Sequence, residues 1–187
     1  MSTPKLVGFV GNLRRPSRSR GLVEIIASEA ARQKHVDVAV FDLLDAGPGL
    51  GAAFSRSELT PSAAAVVEAV ENADALIVGT PVYKGSYTGL FKHLIDFIDP
   101  EALAGKPVVL TATGGGQRHA LVLEHQLRPL FGFFTAQTLP ISVYASDQDF
   151  LDGVLTDPVT IERARGAAGQ LAAALDGLSV RRAAQVA

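Results

Sequence analysis

Short apolar runs alternate along this chain with longer segments of helical periodicity, and this alternation limits the possible folds more than any other feature. Apolar runs of strand length occur at 5–10, 36–42, 74–80, 106–113 and 135–144. Helices are predicted at 19–34, 61–72, 88–98, 117–128 and 158–175. Strands that alternate with helices require right-handed crossovers and a parallel sheet. The sequence therefore predicts an α/β fold, a doubly wound five-stranded parallel sheet with helices on both faces.

Glycine and proline define the boundaries between these elements. Residues 43–60 contain several of both and predict a surface loop. Thr60 followed by Pro61 is typical of a helix start. Pro129 is compatible with a helix that ends near Arg128.

Two apolar clusters exceed what a single layer of helices needs. The helix at 88–98 is apolar over more than one face, whereas a helix that covers a sheet needs only one stripe. Three phenylalanines follow the helix at 117–128: Phe131, Phe133 and Phe134. The surplus favours a homodimer or homotetramer. The alternative is a third layer formed by the chain's own loops.

Composition excludes several classes of protein. The chain has 187 residues, 48% of them apolar, a net charge of −2 and no cysteine. A nucleic-acid binder would be strongly basic, and a chain without cysteine forms neither disulfides nor a catalytic thiolate. The apolar run at 6–10 is too short for a signal peptide, and no run reaches membrane-spanning length. We expect a cytoplasmic protein without nucleic-acid or membrane partners, with one domain over residues 1–178 and a disordered tail over 179–187.

The turn that leaves the first strand combines small polar side chains with arginines. This first loop, residues 11–19, contains Gly11, Asn12, Arg14, Ser17 and Ser19 and leads into a helix. A helix N-terminus leaves four backbone N–H groups without intrahelical partners and carries a partial positive charge. The loop therefore predicts an anion site, typically for phosphate. The alternative is a polar helix cap with solvent-exposed arginines.

Two further loops follow strands three and four. In parallel sheets, ligands bind at the carboxyl ends of the strands, where the strand order reverses. The second loop, residues 80–89, offers an aromatic side chain and free backbone to a flat heterocycle. The third loop, residues 113–116, lets backbone approach a ring closely. The alternatives are a tight turn with Tyr83 packed on the core, and a flexible strand-to-helix turn.

Together these residues resemble the NAD(P)H-dependent FMN reductase family, a flavodoxin-like group, over roughly residues 5–145. The first loop is similar to the family's Gly-Ser-x-Arg-x-x-Ser pattern, with Asn12 where serine is usual. The second loop is similar to Pro-x-Tyr-x-x-Ser-x-x-Gly-x-x-Lys, and the third to a Thr-Gly-Gly stretch. These matches are carried by Gly11, Arg14, Ser17, Pro81, Tyr83, Ser86, Gly89, Lys92, Thr113, Gly114 and Gly115.

The resemblance implies a flavodoxin-like domain that binds FMN. The first loop would bind the FMN phosphate, with Asn12 keeping a donor in place of serine, and the other two loops would hold the isoalloxazine. The implied cofactor-binding residues are Gly11, Asn12, Arg14, Ser17, Ser19, Pro81, Val82, Tyr83, Lys84, Ser86, Thr113, Gly114, Gly115 and Gly116. NADH or NADPH would supply hydride to FMN, and Arg15 or Arg18 would meet a 2′-phosphate or only water. Hydride transfer needs orientation more than acid–base chemistry, so we expect no catalytic side chain. The four histidines show no spacing typical of a metal site, so we expect no metal.

Residues 114–129 carry a closer likeness. They are similar to the FMN reductases of two-component alkanesulfonate monooxygenase systems, including the methanesulfonate type. These enzymes deliver reduced FMN to a separate flavin-dependent monooxygenase, and some have a π-bulge at the subunit interface near the position of His125. The alternative for His125 is an ordinary polar residue on an exposed helix face.

Two other functions fit the same resemblance. One is a quinone, azo or chromate reductase that keeps FMN tightly bound, and the other is a non-catalytic, flavodoxin-like electron carrier. The basic first loop and the nearly neutral net charge count against a carrier, which would use a strong field of one sign to steer its partners.

Overall fold

A parallel sheet lies at the centre of the computed structural model, which describes the backbone of residues 3–186 and the side chains of residues 3–178. Its strands are β1 (Lys5–Val10), β2 (Asp37–Asp42), β3 (Ala75–Pro81), β4 (Pro107–Gly114), β5 (Gln137–Thr138) and β6 (Val143–Ser146). The order is β2-β1-β3-β4-β5, with β6 also paired to β4. This order reverses between β1 and β3, as in flavodoxin-like folds, and confirms the predicted fold class.

The predicted fifth strand is interrupted. Its two pieces, β5 and β6, follow each other along the same edge of β4, with β5 opposite Pro107 and Val108 and β6 beginning opposite Thr111. Pro140 lies in the gap and has no backbone N–H to donate to the ladder. The single strand predicted over 135–144 was therefore wrong in its continuity and in its end, since β6 extends to Ser146.

Helices cover both faces of the sheet. They are α1 (Arg18–Gln33), α2 (Leu43–Ala46), α3 (Pro61–Glu71), α4 (Gly89–Ile95), α5 (Arg128–Phe133) and α6 (Pro158–Val186). Buried residues of α1 and α6 pack on one face of the sheet, and those of α3, α4 and α5 on the other. A short antiparallel hairpin, β7 (Phe150–Leu151) and β8 (Val154–Leu155), precedes α6.

The last helix is longer than the predicted 158–175. Leu178 still packs against the core on the α6 face, so the helix keeps a buried stripe beyond Leu175. The predicted disordered tail over 179–187 falls on residues whose side chains lie outside the described part of the chain, and it stays a prediction.

Residues 43–60 are not the simple surface loop that their glycines and prolines predicted. They form α2 and two 3₁₀ turns, Pro48–Ala52 and Arg56–Glu58, and bury Leu43 and Leu50 in the core. The Leu50 carbonyl oxygen lies 3.1 Å from Nε2 of His93 in α4. Leu43 and Leu50 belong to the same buried cluster as Phe91, Leu94 and Ile95 of α4, so much of the surplus apolar surface of α4 is covered from within the chain, as the alternative of a third layer predicted. Leu90 remains 37% exposed.

The helical segment after β4 is irregular. A 3₁₀ turn (Gln117–His119) and a π turn (Leu123–Leu127) precede α5, and the helix continues through Pro129 instead of ending near Arg128. A proline removes one helical N–H and clashes with the carbonyl four residues earlier. The wider π turn directly before Pro129 accommodates both effects. His125 lies inside this turn, so the π-bulge implied at that position is confirmed.

Candidate functional site

A cavity of about 480 Å³ opens at the carboxyl ends of β1, β3, β4 and β6. All three loops singled out in the sequence reach it. The predicted site residues that line it are Asn12, Arg14, Ser17, Ser19, Pro81, Val82, Tyr83, Thr113, Gly114 and Gly115. The spatial convergence of three loops that are far apart in sequence is thus a property of the fold.

The N-terminus of α1 presents unpaired donors to this cavity. Ser17 caps the helix, and its Oγ accepts a hydrogen bond of 3.3 Å from the backbone N–H of Arg20. Within residues 3–186, the backbone N–H groups of Ser17, Arg18 and Ser19 donate to no protein acceptor. The Ser19 hydroxyl lies 2.6 Å from that of Thr113 and ties the first loop to the third. The arrangement suits an anion.

The arginines of the first loop have different partners. Arg15 donates to the buried Asp42 carboxylate at 2.7 and 2.8 Å, and Arg20 donates to it at 2.9 Å. Both arginines also pair with Asp45. Burial would raise the pKa of Asp42, but hydrogen bonds, that from Arg15 foremost, lower it to about 2. The guanidinium of Arg14, by contrast, is exposed at the cavity and pairs with no other described residue, although the backbone carbonyl of Arg14 accepts a hydrogen bond from Asn12.

The family usually has serine at position 12, and we expected the Asn12 side chain to keep a hydrogen-bond donor for the ligand. In the structure its amide hydrogens already have protein acceptors. Its buried Nδ2 donates to the Arg14 carbonyl and to Asp42, both at 3.1 Å. Its Oδ1 is buried and has no partner among the described residues. Asn12 therefore joins the loop backbone to Asp42, and its amide hydrogens are already used before any ligand is considered.

The second loop is a tight turn held by its own backbone. Tyr83 and Ser86 exchange N–H···O bonds of 2.9 and 3.3 Å, while Lys84 and Gly85 have φ values of 53° and 87°. Positive φ at both central residues is the geometry of a type I′ turn. The alternative reading predicted this turn correctly, but Tyr83 is 45% exposed at the cavity and not packed away in the core.

The third loop is held in place by Tyr144. Its hydroxyl donates a 2.6 Å hydrogen bond to the Gly116 carbonyl, and burial raises its pKa. A methyl group at Gly114 would lie only 2.6 Å from the same hydroxyl oxygen. The loop is therefore closely packed at Gly114, whereas a methyl group at Gly116 would meet no atom within 4 Å.

Four predicted site residues support the cavity without lining it. Gly11 donates a 2.7 Å backbone bond to Gly79, and a methyl group there would lie 2.8 Å from Cβ of Phe91. Ser86 donates through its hydroxyl to Gln126 at 3.1 Å. The other two, Lys84 and Gly116, belong to the turns just described.

Four more residues line the cavity that were not among the implied FMN-binding residues, although Arg18 was considered as a partner for a 2′-phosphate. They are Leu13, Pro16, Arg18 and Asp147. Asp147 begins a fourth loop, the 3₁₀ turn Asp147–Asp149, directly after β6. The signal was its place at the carboxyl end of the fifth strand, but the prediction ended that strand at Tyr144.

Comparison with known proteins identifies the family of this chain. The sequence profile of the NADPH-dependent FMN reductases matches residues 4–150. This chain belongs to that family. The reductase is 49% identical over 173 residues to the NADH-dependent FMN reductase SfnF of Pseudomonas fluorescens, covering 92% of each chain. It is 50% identical over 151 residues to an FMN reductase (NADPH) of Pseudomonas aeruginosa, covering 80% of this chain and 81% of that one.

A solved structure supports the same assignment. The reductase is 32% identical to an oxidoreductase from Corynebacterium diphtheriae, with a TM-score of 0.81, covering 94% of this chain and 99% of that one. Together these likenesses confirm an NAD(P)H-dependent FMN reductase, with FMN and a nicotinamide dinucleotide as its substrates. Relatives named for NADH and for NADPH are about equally similar, so they do not select the donor. None of the helices within residues 3–186 is long and apolar enough to cross a membrane.

Proposed function

We propose that the reductase binds FMN with its phosphate at the first loop and its isoalloxazine beside the second and third loops. The observation that carries this proposal is the set of unpaired N–H groups at the start of α1, next to the unpartnered Arg14. Both lie on a cavity whose other walls are Tyr83 and backbone at Gly114 and Gly115. Charged donors and close backbone suit the two chemically different parts of one flavin nucleotide.

The chain's contribution to the reaction is position. Bound FMN would supply the ring that accepts hydride from the nicotinamide. The second loop, set by its type I′ turn, and the third loop, set by Tyr144, hold backbone where a ring can lie against it. The exposed Tyr83 leaves one side of the cavity open for a second flat ring. Such orientation accounts for catalysis without an acid or base on the protein.

The acceptor of the reduced FMN in this proposal is a separate flavin-dependent monooxygenase of alkanesulfonate or methanesulfonate desulfonation. Support comes from residues 114–129, which resemble reductases of such two-component systems, and from the π turn at Leu123–Leu127. π turns inside helices are often associated with functional sites. We also propose that the reductase is cytoplasmic, as the sequence predicted.

A homodimer or homotetramer belongs to the same proposal. The apolar surface of α4 no longer supports this part of the proposal, because much of it is buried within the chain. The support comes instead from exposed side chains around the π turn and α5. Leu121 is 64% exposed and Phe133 is 70% exposed, which leaves apolar surface near the π turn that a second copy of the chain could cover. Light scattering coupled to gel filtration would measure the mass, and a monomer at all concentrations would contradict this part.

Turnover assays test the main proposal. Oxidation of NADH and of NADPH would be followed with and without added FMN. Turnover that needs added FMN supports a reductase that releases its flavin. Turnover of a yellow protein without added FMN, with a quinone or azo compound as acceptor, favours the alternative with tightly bound FMN, and no oxidation with either donor contradicts both.

Arg14→Ala tests the placement of the phosphate. Because Arg14 is the unpartnered cation at the cavity, we expect the KM for FMN to rise at least about ten-fold, the scale of a lost charge-assisted hydrogen bond, with little change for riboflavin. Arg32→Ala is the matched control, since Arg32 lies in the last turn of α1 and is exposed. Equal effects of Arg14→Ala on both flavins would refute the phosphate role.

A further inference from the structure

An ion pair crosses the edge of the cavity between the first and fourth loops. Nη1 of Arg18 lies 2.6 Å from Oδ1 of Asp147, and the Arg18 guanidinium lies 5.6 Å from the centre of the Phe150 ring. Both charged residues line the cavity. Arg18 is the first residue of α1, so it stands next to the unpaired N–H groups at the helix start.

Asp147 is an unexpected residue in an anion site. Within the described lining of the cavity it is the sole carboxylate, among arginines and helix N–H groups. Its second oxygen also faces the third loop, since a methyl group at Gly115 would lie 3.9 Å from Oδ2. A carboxylate so placed repels a bound phosphate and competes with it for Arg18.

The fold does not require this carboxylate. The cap of the fourth loop comes from Asp149, whose Oδ2 accepts the Ser146 backbone N–H at 2.6 Å. The side chains of Arg18 and Asp147 are 43% and 59% exposed, and ion pairs that are this exposed contribute little to stability. A role in binding therefore accounts for Asp147 better than a role in folding.

We propose that Asp147 is a positioning residue that holds Arg18 away from the FMN phosphate and so weakens FMN binding enough to permit release. The inference rests on the proposed function, because it presupposes the phosphate at the first loop. It adds a reason why FMN would behave as a substrate and not as a permanent prosthetic group. In this proposal Arg18 pairs either with Asp147 or with the phosphate. Because the ion pair with Asp147 forms only when Arg18 is not bound to the phosphate, it favours the protein without flavin.

Asp147→Asn tests the inference directly. The variant keeps the size of the side chain and removes its charge, so Arg18 becomes available to the phosphate. We expect the Kd for FMN, measured by fluorescence titration, to fall about five-fold, the scale of a charge at the rim of a binding site. The Kd for riboflavin, which has no phosphate, should stay unchanged. The fall should shrink as salt is added, because salt screens exposed charges.

Three further variants separate this role from a structural one. Asp152→Asn is the matched control, because Asp152 lies in the turn of the β7–β8 hairpin, away from the cavity lining, and asparagine tolerates its φ of 50°. Asp147→Glu restores the charge and should bring the Kd for FMN back toward the wild-type value. In an Arg18→Ala background, Asp147→Asn should have a clearly smaller effect on FMN, since the partner it positions is gone.

Several outcomes would overturn the inference. They are an unchanged or higher Kd for FMN in Asp147→Asn, an equal fall for riboflavin, or an undiminished effect in the Arg18→Ala background. Failure of the proposed function looks different. Wild-type protein that binds FMN no more tightly than riboflavin would contradict the phosphate placement itself, and the inference with it.

Discussion

The first loop and the third loop line the same cavity but are held by different interactions. The first loop is anchored by charge, because Arg15 and Asn12 both donate to the buried carboxylate of Asp42. The third loop is anchored by shape, with Gly114 packed under the Tyr144 hydroxyl. Substitutions that change charge, and changes of pH, should therefore disturb the first loop. Substitutions that change the volume of a side chain should disturb the third loop.

The largest effect is expected from Asp42→Asn. The substitution removes the charge that Arg15 and Arg20 share, although both arginines are partly exposed and keep Asp45 as a partner. Because hydrogen bonds to charged groups contribute about 1.5–3 kcal/mol, we expect the free energy of unfolding, measured with urea, to fall by about 2 kcal/mol. Asp37→Asn, at the exposed start of β2, is the control. A loss no larger than that of the control would show that Asp42 does not anchor the first loop.

Acid should weaken the same anchor. In the folded protein the pKa of Asp42 is lowered from 3.8 to about 2, so its carboxylate stabilises the fold above pH 3.8 and this stabilisation is lost as the pH falls through 2. A shift of this size corresponds to about 2 kcal/mol. Urea unfolding of the wild type and of Asp42→Asn should therefore converge by roughly that amount between pH 5 and pH 2. Parallel pH profiles would contradict the role of this carboxylate.

The third loop should respond to volume instead. Gly114→Ala places a methyl group against the Tyr144 hydroxyl and must displace either the loop or the Tyr144 side chain that holds it. We expect the Kd for FMN and for riboflavin to rise together, by about ten-fold, because the ring and not the phosphate is affected. Adding Tyr144→Phe removes the oxygen from the close contact and should recover part of the affinity. If Gly114→Ala weakened the binding of FMN but not that of riboflavin, the proposed difference between the two loops would be contradicted.

Much of the architecture could be predicted from local patterns. The apolar runs predicted β1 to β4 within a residue or two, and parallel pairing then placed the three candidate loops at one edge of the sheet. The glycine run after β4 predicted a loop whose backbone can approach a ligand ring, and Gly114 and Gly115 do line the cavity. These features depend on residue type and short spacing, which the sequence displays directly.

The partners of charged side chains could not be predicted in the same way. The first loop contains Arg14, Arg15 and Arg18, and nothing local in the sequence distinguishes their partners. Only the fold shows that Arg15 pairs with Asp42 and that Arg18 pairs with Asp147. These contacts join residues 27 and 129 positions apart. The hydrogen bonds of the Asn12 side chain to Asp42 and to the Arg14 carbonyl could not be predicted for the same reason. Long-range pairing is set by topology, and local composition does not contain it.

Lys84 offers the smallest and most selective test of the comparison. It is a cation beside the candidate site, but the second loop uses its backbone, at a φ of 53°, and its side chain does not line the cavity. Asparagine before Gly85 is the preferred pair for a type I′ turn. We expect Lys84→Asn to raise the free energy of unfolding by about 0.5 kcal/mol, because asparagine tolerates positive φ better than lysine.

The same variant should leave the ratio of FMN to riboflavin affinity unchanged, as measured by fluorescence titration, whereas Arg14→Ala should lower it. Both substitutions remove one positive charge near the cavity, so overall charge cannot explain a difference between them. A fall in the FMN-to-riboflavin ratio in Lys84→Asn as large as that in Arg14→Ala would mean that the second loop also takes part in holding the phosphate. The first loop would then no longer differ from the other two loops in its sensitivity to charge.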